Sequence, residues 1–155
     1  MKKILLGSLF LLTAATFVNA QNKAVYGELG GSGLVFSANY DMRFTKTENG
    51  FGFRAGVGFA AGGDASVVTF PFGLNYLTGK GPHHFELGMT VTPVTATINF
   101  VGDNETGSTT FFMPHVGYRY ATIGKGFVGR IYVCPLIVGG YTFFPWGGIS
   151  AGYKF

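Results

Sequence analysis

The chain has 155 residues, a formal charge of +4, 26 glycines and 17% aromatic residues, yet only 12% of it is charged, against about 25% in a typical soluble domain. That length suits one domain, and so weak a positive bias does not suggest a nucleic-acid binder. Low charge with no long apolar run points away from membrane helices and toward a closed β-barrel, the other structure that satisfies its backbone in lipid.

Residues 1–20, MKKILLGSLFLLTAATFVNA, open with Lys2 and Lys3, continue through a largely apolar stretch from Ile4 to Leu12, and end in small or apolar residues at Val18 and Ala20. This is the layout of a secretory signal peptide, with cleavage expected after Ala20. The stretch is short for a spanning helix, and no Cys follows the cut to carry a lipid anchor. Without this segment nine basic and seven acidic residues remain, a net charge of +2. Residues 21–155 form the expected barrel domain. Their one Cys, Cys134, has no partner for an internal disulfide and reads as a buried strand residue.

Period-two alternation then recurs almost to the C-terminus. Val25 and Leu29 oppose Tyr26 and Glu28. Leu34, Phe36, Ala38, Tyr40, Met42 and Phe44 oppose Val35, Ser37, Asn39, Asp41 and Arg43. Phe51, Phe53, Ala55, Val57 and Phe59 oppose Arg54. Val68, Phe70, Phe72, Leu74 and Tyr76 oppose Thr69, Gly73 and Asn75. Phe85, Leu87, Met89 and Val91 oppose Glu86, Thr90 and Thr92. Phe112, Val116, Tyr118 and Tyr120 oppose His115 and Arg119. Phe127, Ile131 and Val133 oppose Arg130 and Tyr132. The closing segment sets Ile149, Ala151, Tyr153 and Phe155 against Ser150, Gly152 and Lys154. Turn signals separate these eight runs: GGS at 30–32, TENG ending at Gly50, AGGD at 61–64, TGKGP at 78–82, GDNETG at 102–107, IGKG at 123–126 and FPWGG at 144–148.

Eight of the sixteen charges after residue 20 fall within these runs, all on the face opposite the apolar one: Glu28, Asp41, Arg43, Arg54, Glu86, Arg119, Arg130 and Lys154. An eight-stranded barrel has an interior just wide enough for side chains. Rows this rich in Phe and Tyr do not fit inside it, so they belong outside, against hydrocarbon. Slipping every strand by one residue would turn the charges toward lipid, at about 2–4 kcal/mol for each Arg or Lys near the midplane. The fold expected is therefore all-β, an eight-stranded antiparallel transmembrane β-barrel of the small outer-membrane type. Both termini face the periplasm, and loops at 31–32, 61–66, 101–109 and 139–147 face outward. Tyr40, Phe44, Phe51, Tyr76, Phe85, Tyr118, Tyr120, Phe127, Tyr153 and Phe155 then gather at the periplasmic strand ends as an aromatic girdle. Pro71, Pro93, Pro114 and Pro135 sit inside strands and each removes a ladder donor. After Pro93 the apolar phase moves to Val94, Ala96, Ile98 and Phe100, which reads as a β-bulge.

The segments ELGGSGLVFSANYDMRF (28–44), FPFGLNYLTGKGPHHFELGMTVT (70–92), PHVGYRY (114–120) and PWGGISAGYKF (145–155) resemble the small outer-membrane β-barrel proteins common in Bacteroidetes. The resemblance covers nearly all of residues 21–155. It implies a barrel in the outer membrane, with outer-membrane lipids around it, and brings no catalytic residues. The closing Tyr153 and Phe155 resemble the C-terminal signal recognised by the barrel-assembly machinery.

The remaining motifs are weak. Gly124, Gly126 and Gly129 spell G-x-G-x-x-G, but a strand follows where a nucleotide site needs a helix. His83 and His84 are adjacent, so a strand sends them to opposite faces, and an interfacial turn is expected in place of a metal site. His115 is expected to pack inside near Arg119. Asn104-Glu105-Thr106 matches a glycosylation sequon by chance. Tyr141, Phe143, Phe144 and Trp146 are expected in an outer interfacial belt. Five basic and three acidic lumen groups must pair or be hydrated, which favours an ion-paired plug over a solute path. No catalytic residue, metal or cofactor is expected, and no nucleic-acid partner. The function expected is structural or interactive, with a narrow channel or a binder of a small or hydrophobic solute as the alternative and a lipid-modifying enzyme less favoured.

Overall fold

The computed structural model describes residues 22–100, 103–138 and 142–155; the expected signal peptide lies outside them. Eight strands follow one another around a single sheet. They are Lys23–Gly30, Phe36–Arg43, Gly50–Gly62, a fourth in two pieces (Ala65–Thr69 and Phe72–Lys80), His83–Phe100, Asp103–Ala121, a seventh in two pieces (Gly126–Val133 and Leu136–Val138), and an eighth in two pieces (Thr142–Phe144 and Gly147–Lys154). Every neighbouring pair is antiparallel. The first strand pairs with the eighth from Ala24↔Lys154 to Gly30↔Gly148, so the sheet closes into a barrel with no lateral edge along this stretch.

Alternation decides which residues face in. Phe72, Leu74 and Tyr76 are exposed on the outside, while Thr69, Asn75 and Leu77 are buried in the lumen, and the other strands repeat the pattern. Val35 and Leu34 depart from it: alternation sets Val35 inward and Leu34 outward, but the chain has not yet entered the second strand there, so Val35 is 56% exposed while Leu34 packs against the inner cluster of Met113, Tyr132 and Cys134.

Prolines cause the three strand breaks without shifting the register. The fourth strand meets the third as Phe59↔Val68 on one side of Pro71 and Ala55↔Phe72 on the other, an unchanged alignment. Pro71 and Pro93 also keep their acceptor roles, taking bonds from Gly56 N (2.8 Å) and Phe70 N (3.0 Å). Between the sixth and seventh strands the same alignment links Val116↔Val133 and Phe112↔Ile137, which sets Pro114 opposite Pro135. The two missing donors thus fall in one pair.

The bulge expected after Pro93 is absent. Pairing between the fifth and sixth strands runs in one register from His83↔Tyr120 to Phe100↔Asp103. The backbone keeps its phase and only the residue types change, so Val94 points inward and is buried. The strands are also longer than the turn signals indicated. The sixth begins at Asp103, inside the loop expected at 101–109, and Gly81 and Pro82 alone separate the fourth and fifth strands. FPWGG is a break within the eighth strand and does not connect two strands. The long third to sixth strands therefore project beyond the barrel at the end opposite the termini.

Candidate functional site

The lumen gathers the charged strand residues. Glu28, Asp41, Arg43, Arg54, Glu86, Arg119 and Arg130 are each 3% exposed or less, and Lys154 is 5% exposed. Asp41 accepts from Arg43 Nη2 (2.8 Å), from Arg119 Nη1 and Nη2 (both 3.0 Å) and from Asn75 Nδ2 (2.8 Å). Glu86 accepts from Arg119 Nε (2.9 Å) and from Arg130 Nε and Nη2 (3.0 and 2.6 Å). Glu28 takes two bonds from Arg54 Nη2 (3.0 and 3.1 Å) and one from Arg130 Nη1 (3.3 Å). A planar guanidinium offers several donors in a fixed fork, so Arg119 holds both Asp41 and Glu86 and Arg130 holds both Glu28 and Glu86, which a lysine's point charge does less well. Four guanidiniums face three carboxylates, one positive charge in excess.

That excess is set among aromatic faces and neutral acceptors. Arg130 lies 4.9 Å from the ring centroids of both Tyr26 and Tyr132 and donates to the Tyr26 hydroxyl (2.8 Å). Arg54 donates to Asn39 Oδ1 (2.9 Å). His115 is buried, with Nε2 3.4 Å from Glu86 Oε1 and its ring 5.3 Å from that of Tyr132. The ring lies over Gly88, where an added Cβ would come within 2.6 Å of it.

Two closures escaped the sequence. At the terminal end, Lys154 Nζ donates to Glu48 Oε2 (2.9 Å), an acid supplied by the connection between the second and third strands and invisible to strand alternation. At the far end, the connection after the first strand folds into the barrel as one 3-10 turn, Gly31–Gly33, all buried. Thr92 and Thr69 donate to the carbonyls of Ser32 (2.9 Å) and Gly33 (3.1 Å), and the Ser32 amide donates to the Tyr132 hydroxyl (3.0 Å). Trp146 Nε1 donates to Gly31 O (2.9 Å). Trp146 therefore packs inward against the cluster of Met113, Tyr132 and Cys134 and does not join an outer belt; Tyr141 lies outside the described residues. The turn leaves through Leu34 at φ 71° and ψ −69°, closed by Val35 N→Gly33 O (3.1 Å), a strained γ-turn for a residue with a side chain. The signal for this cap was GGSG, four residues small enough to enter a filled lumen.

The other singled-out residues sit apart. His83 is exposed beside Tyr118 and Tyr120, while His84 is buried with Nδ1 3.0 Å from Asn49 Oδ1. Gly124 and Gly126 lie at a turn with φ 78° and 146°, and Gly129 is in the seventh strand. Tyr153 and Phe155 are exposed on the outer face at the terminal end, where Phe155 N donates to Lys23 O (2.9 Å). Among the described residues no three His, Cys, Asp or Glu side chains converge as metal ligands.

Solved structures share this architecture. The N-terminal β-barrel domain of OprF from Pseudomonas aeruginosa aligns with a TM-score of 0.60 at 10% identity, over 87% of this chain and 96% of that one. The chain has the fold of small eight-stranded outer-membrane barrels. The attachment invasion locus protein Ail of Yersinia pestis aligns at 0.56 with 12% identity, over 87% and 97% of the two chains. Neisserial surface protein A aligns at 0.51 with 15% identity, over 86% and 92%. No family model and no curated protein matches the sequence.

Proposed function

We propose that this protein is an integral outer-membrane barrel whose filled lumen suits a structural or interaction role in the cell envelope, and not conduction or catalysis. The observation that carries this reading is its inverted layering: large apolar side chains cover the outside and the ion-paired groups lie within. In water, so much exposed Phe, Leu and Ile would drive association; in hydrocarbon it is the stable arrangement.

The apolar belt has the right height. On the fifth strand, Phe85, Leu87, Met89 and Val91 face outward between His83 and Thr95. Those twelve steps, at about 3.3 Å each and a tilt of about 40°, bracket roughly 30 Å along the membrane normal. Beyond Pro93 the outward positions carry hydroxyls, with Thr95 3.3 Å from Ser108 and Thr97 3.2 Å from Thr106. In this reading that change is the extracellular boundary, and the termini are periplasmic. A chain exported by residues 1–20, in a Bacteroidetes-type envelope, fits this placement.

The test combines fractionation with electrophoresis and conductance. The protein should partition with outer membranes, change apparent size on boiling, and give no stable conductance steps in planar bilayers. Recovery as a soluble monomer without detergent would refute the membrane reading. Reproducible steps of porin size would refute the plug.

A further inference from the structure

The side-chain charges of residues 22–155 are sorted along the barrel axis. All four arginines lie in the lumen. All five lysines lie at the periplasmic end: Lys23 and Lys154 at the terminal strand ends, Lys46 between the second and third strands, Lys80 at the end of the fourth, and Lys125 between the sixth and seventh. Among the described residues the only acidic side chain at that end is Glu48, and Lys154 binds it at 2.9 Å. Asp64, Asp103 and Glu105 belong to the opposite end, where there is no base.

Four lysines are therefore left without an acidic partner, one at each of the four corners of the periplasmic rim. Two of them share a face with lipid-directed residues. Lys23 has the parity of Val25 and Leu29, and Lys80 that of Leu74 and Tyr76. Lys46 and Lys125 are exposed in turns beside Phe44 and Phe127 of the aromatic girdle. Lysines just beyond an aromatic belt sit at headgroup depth, their stems along apolar surface and their amines in the interface.

We propose that this ring is a binding surface for anionic phospholipid headgroups of the periplasmic leaflet. The inference rests on the membrane reading above and adds a lipid class and a leaflet to it. A ring, and not a one-sided patch, fits a partner that surrounds the barrel. Its outward members, Lys23 and Lys80, face the lipid annulus, and the charge complementarity is with phosphate, since among the described residues no acidic side chain pairs with these four amines. An interfacial lysine favours an anionic lipid on the order of fivefold.

The test uses the full mature chain refolded in vesicles of phosphatidylcholine alone or mixed equally with phosphatidylglycerol, followed by native mass spectrometry of the lipids retained. The expected result is several-fold enrichment of phosphatidylglycerol on the protein. Substituting Lys23, Lys46, Lys80 and Lys125 together by Gln should abolish it, whereas Lys154→Gln, which breaks only the pair with Glu48, should preserve it. Equal retention of both lipids by the unaltered chain, or enrichment that survives the fourfold substitution, would overturn the proposal. Binding to purified cell-wall sacculi without lipid enrichment would also overturn it, assigning the ring to a polymer. The boiling-dependent size change, read on the same samples, reports the barrel separately: its loss counts against the membrane reading, and its persistence without enrichment counts against the ring alone.

Discussion

Replacing Glu86 by Gln keeps the shape of a side chain that Arg119 and Arg130 grip from two strands, but removes its charge. The lumen already holds four guanidiniums against three carboxylates; the variant would hold four against two. Removing one member of a buried ion pair generally costs about 3–5 kcal/mol, because the partner stays buried without compensation. Gln retains one acceptor oxygen, so the loss should lie near the lower bound, about 3 kcal/mol. Glu48→Gln provides the contrast. Its pair with Lys154 sits at the mouth, where the side chains are 13% and 6% exposed and nearer to water than Glu86, so its loss should cost less, about 1–2 kcal/mol. Urea titrations in lipid vesicles, followed by the fluorescence of the single Trp, would compare the two at a common slope. Adding Arg119→Gln to Glu86→Gln should recover part of the loss, since the pair is coupled. If Glu86→Gln shifts the midpoint no more than Glu48→Gln does, the lumen is hydrated enough to screen its charges, and the dry-plug reasoning is wrong.

Other substitutions probe the cap and the packing. Tyr132→Phe removes the acceptor of the Ser32 amide and should cost about 1–3 kcal/mol; hydrogen exchange at Ser32 should quicken while that of the first strand stays slow. Gly88→Ala would bring a Cβ within 2.6 Å of the His115 ring and of Leu74 O, a loss of about 1–3 kcal/mol, whereas Gly107→Ala, with nothing within 4 Å, should change stability by less than about 0.5 kcal/mol. Cys134 is fully buried, so a maleimide should label it only after unfolding, and rapid labelling of folded protein would show that the lumen opens.

Period-two alternation made most of the fold legible, because a closed wall one residue thick gives each strand position one of two environments. Phe85, Leu87 and Met89 could therefore be placed from the sequence alone. The same rule failed where composition changed but geometry did not: beyond Pro93 the strand leaves the apolar belt, and Val94 and Ala96 imitate a phase slip. Alternation also assigns a face without assigning a partner. That Arg119 reaches both Asp41 and Glu86, or that Arg54 meets Glu28, depends on the stagger of strands around the ring, which no single strand encodes. Glu48 and Trp146 were hidden for a different reason, since a turn and a proline-broken segment have no period to read. The prolines looked like four separate losses until the register set Pro114 against Pro135.

The separation of lysines from acids also bears on how such a chain could cross a bilayer in one direction. The hairpin tips that must pass through hydrocarbon carry Asp64, Asp103 and Glu105 and no base. A carboxylate can cross as a neutral acid by taking up a proton, an ordinary response of such a group to a medium of low dielectric. The end that stays behind carries Lys23, Lys46, Lys80 and Lys125, and near pH 7 shedding a proton from an amine costs about as much as adding one to a carboxylate, since each lies roughly 3 pKa units from neutrality. Threading in the reverse sense would carry those four lysines and the Lys154–Glu48 pair through hydrocarbon in place of three carboxylates, so the sorting favours the direction in which fewer ionised groups must cross.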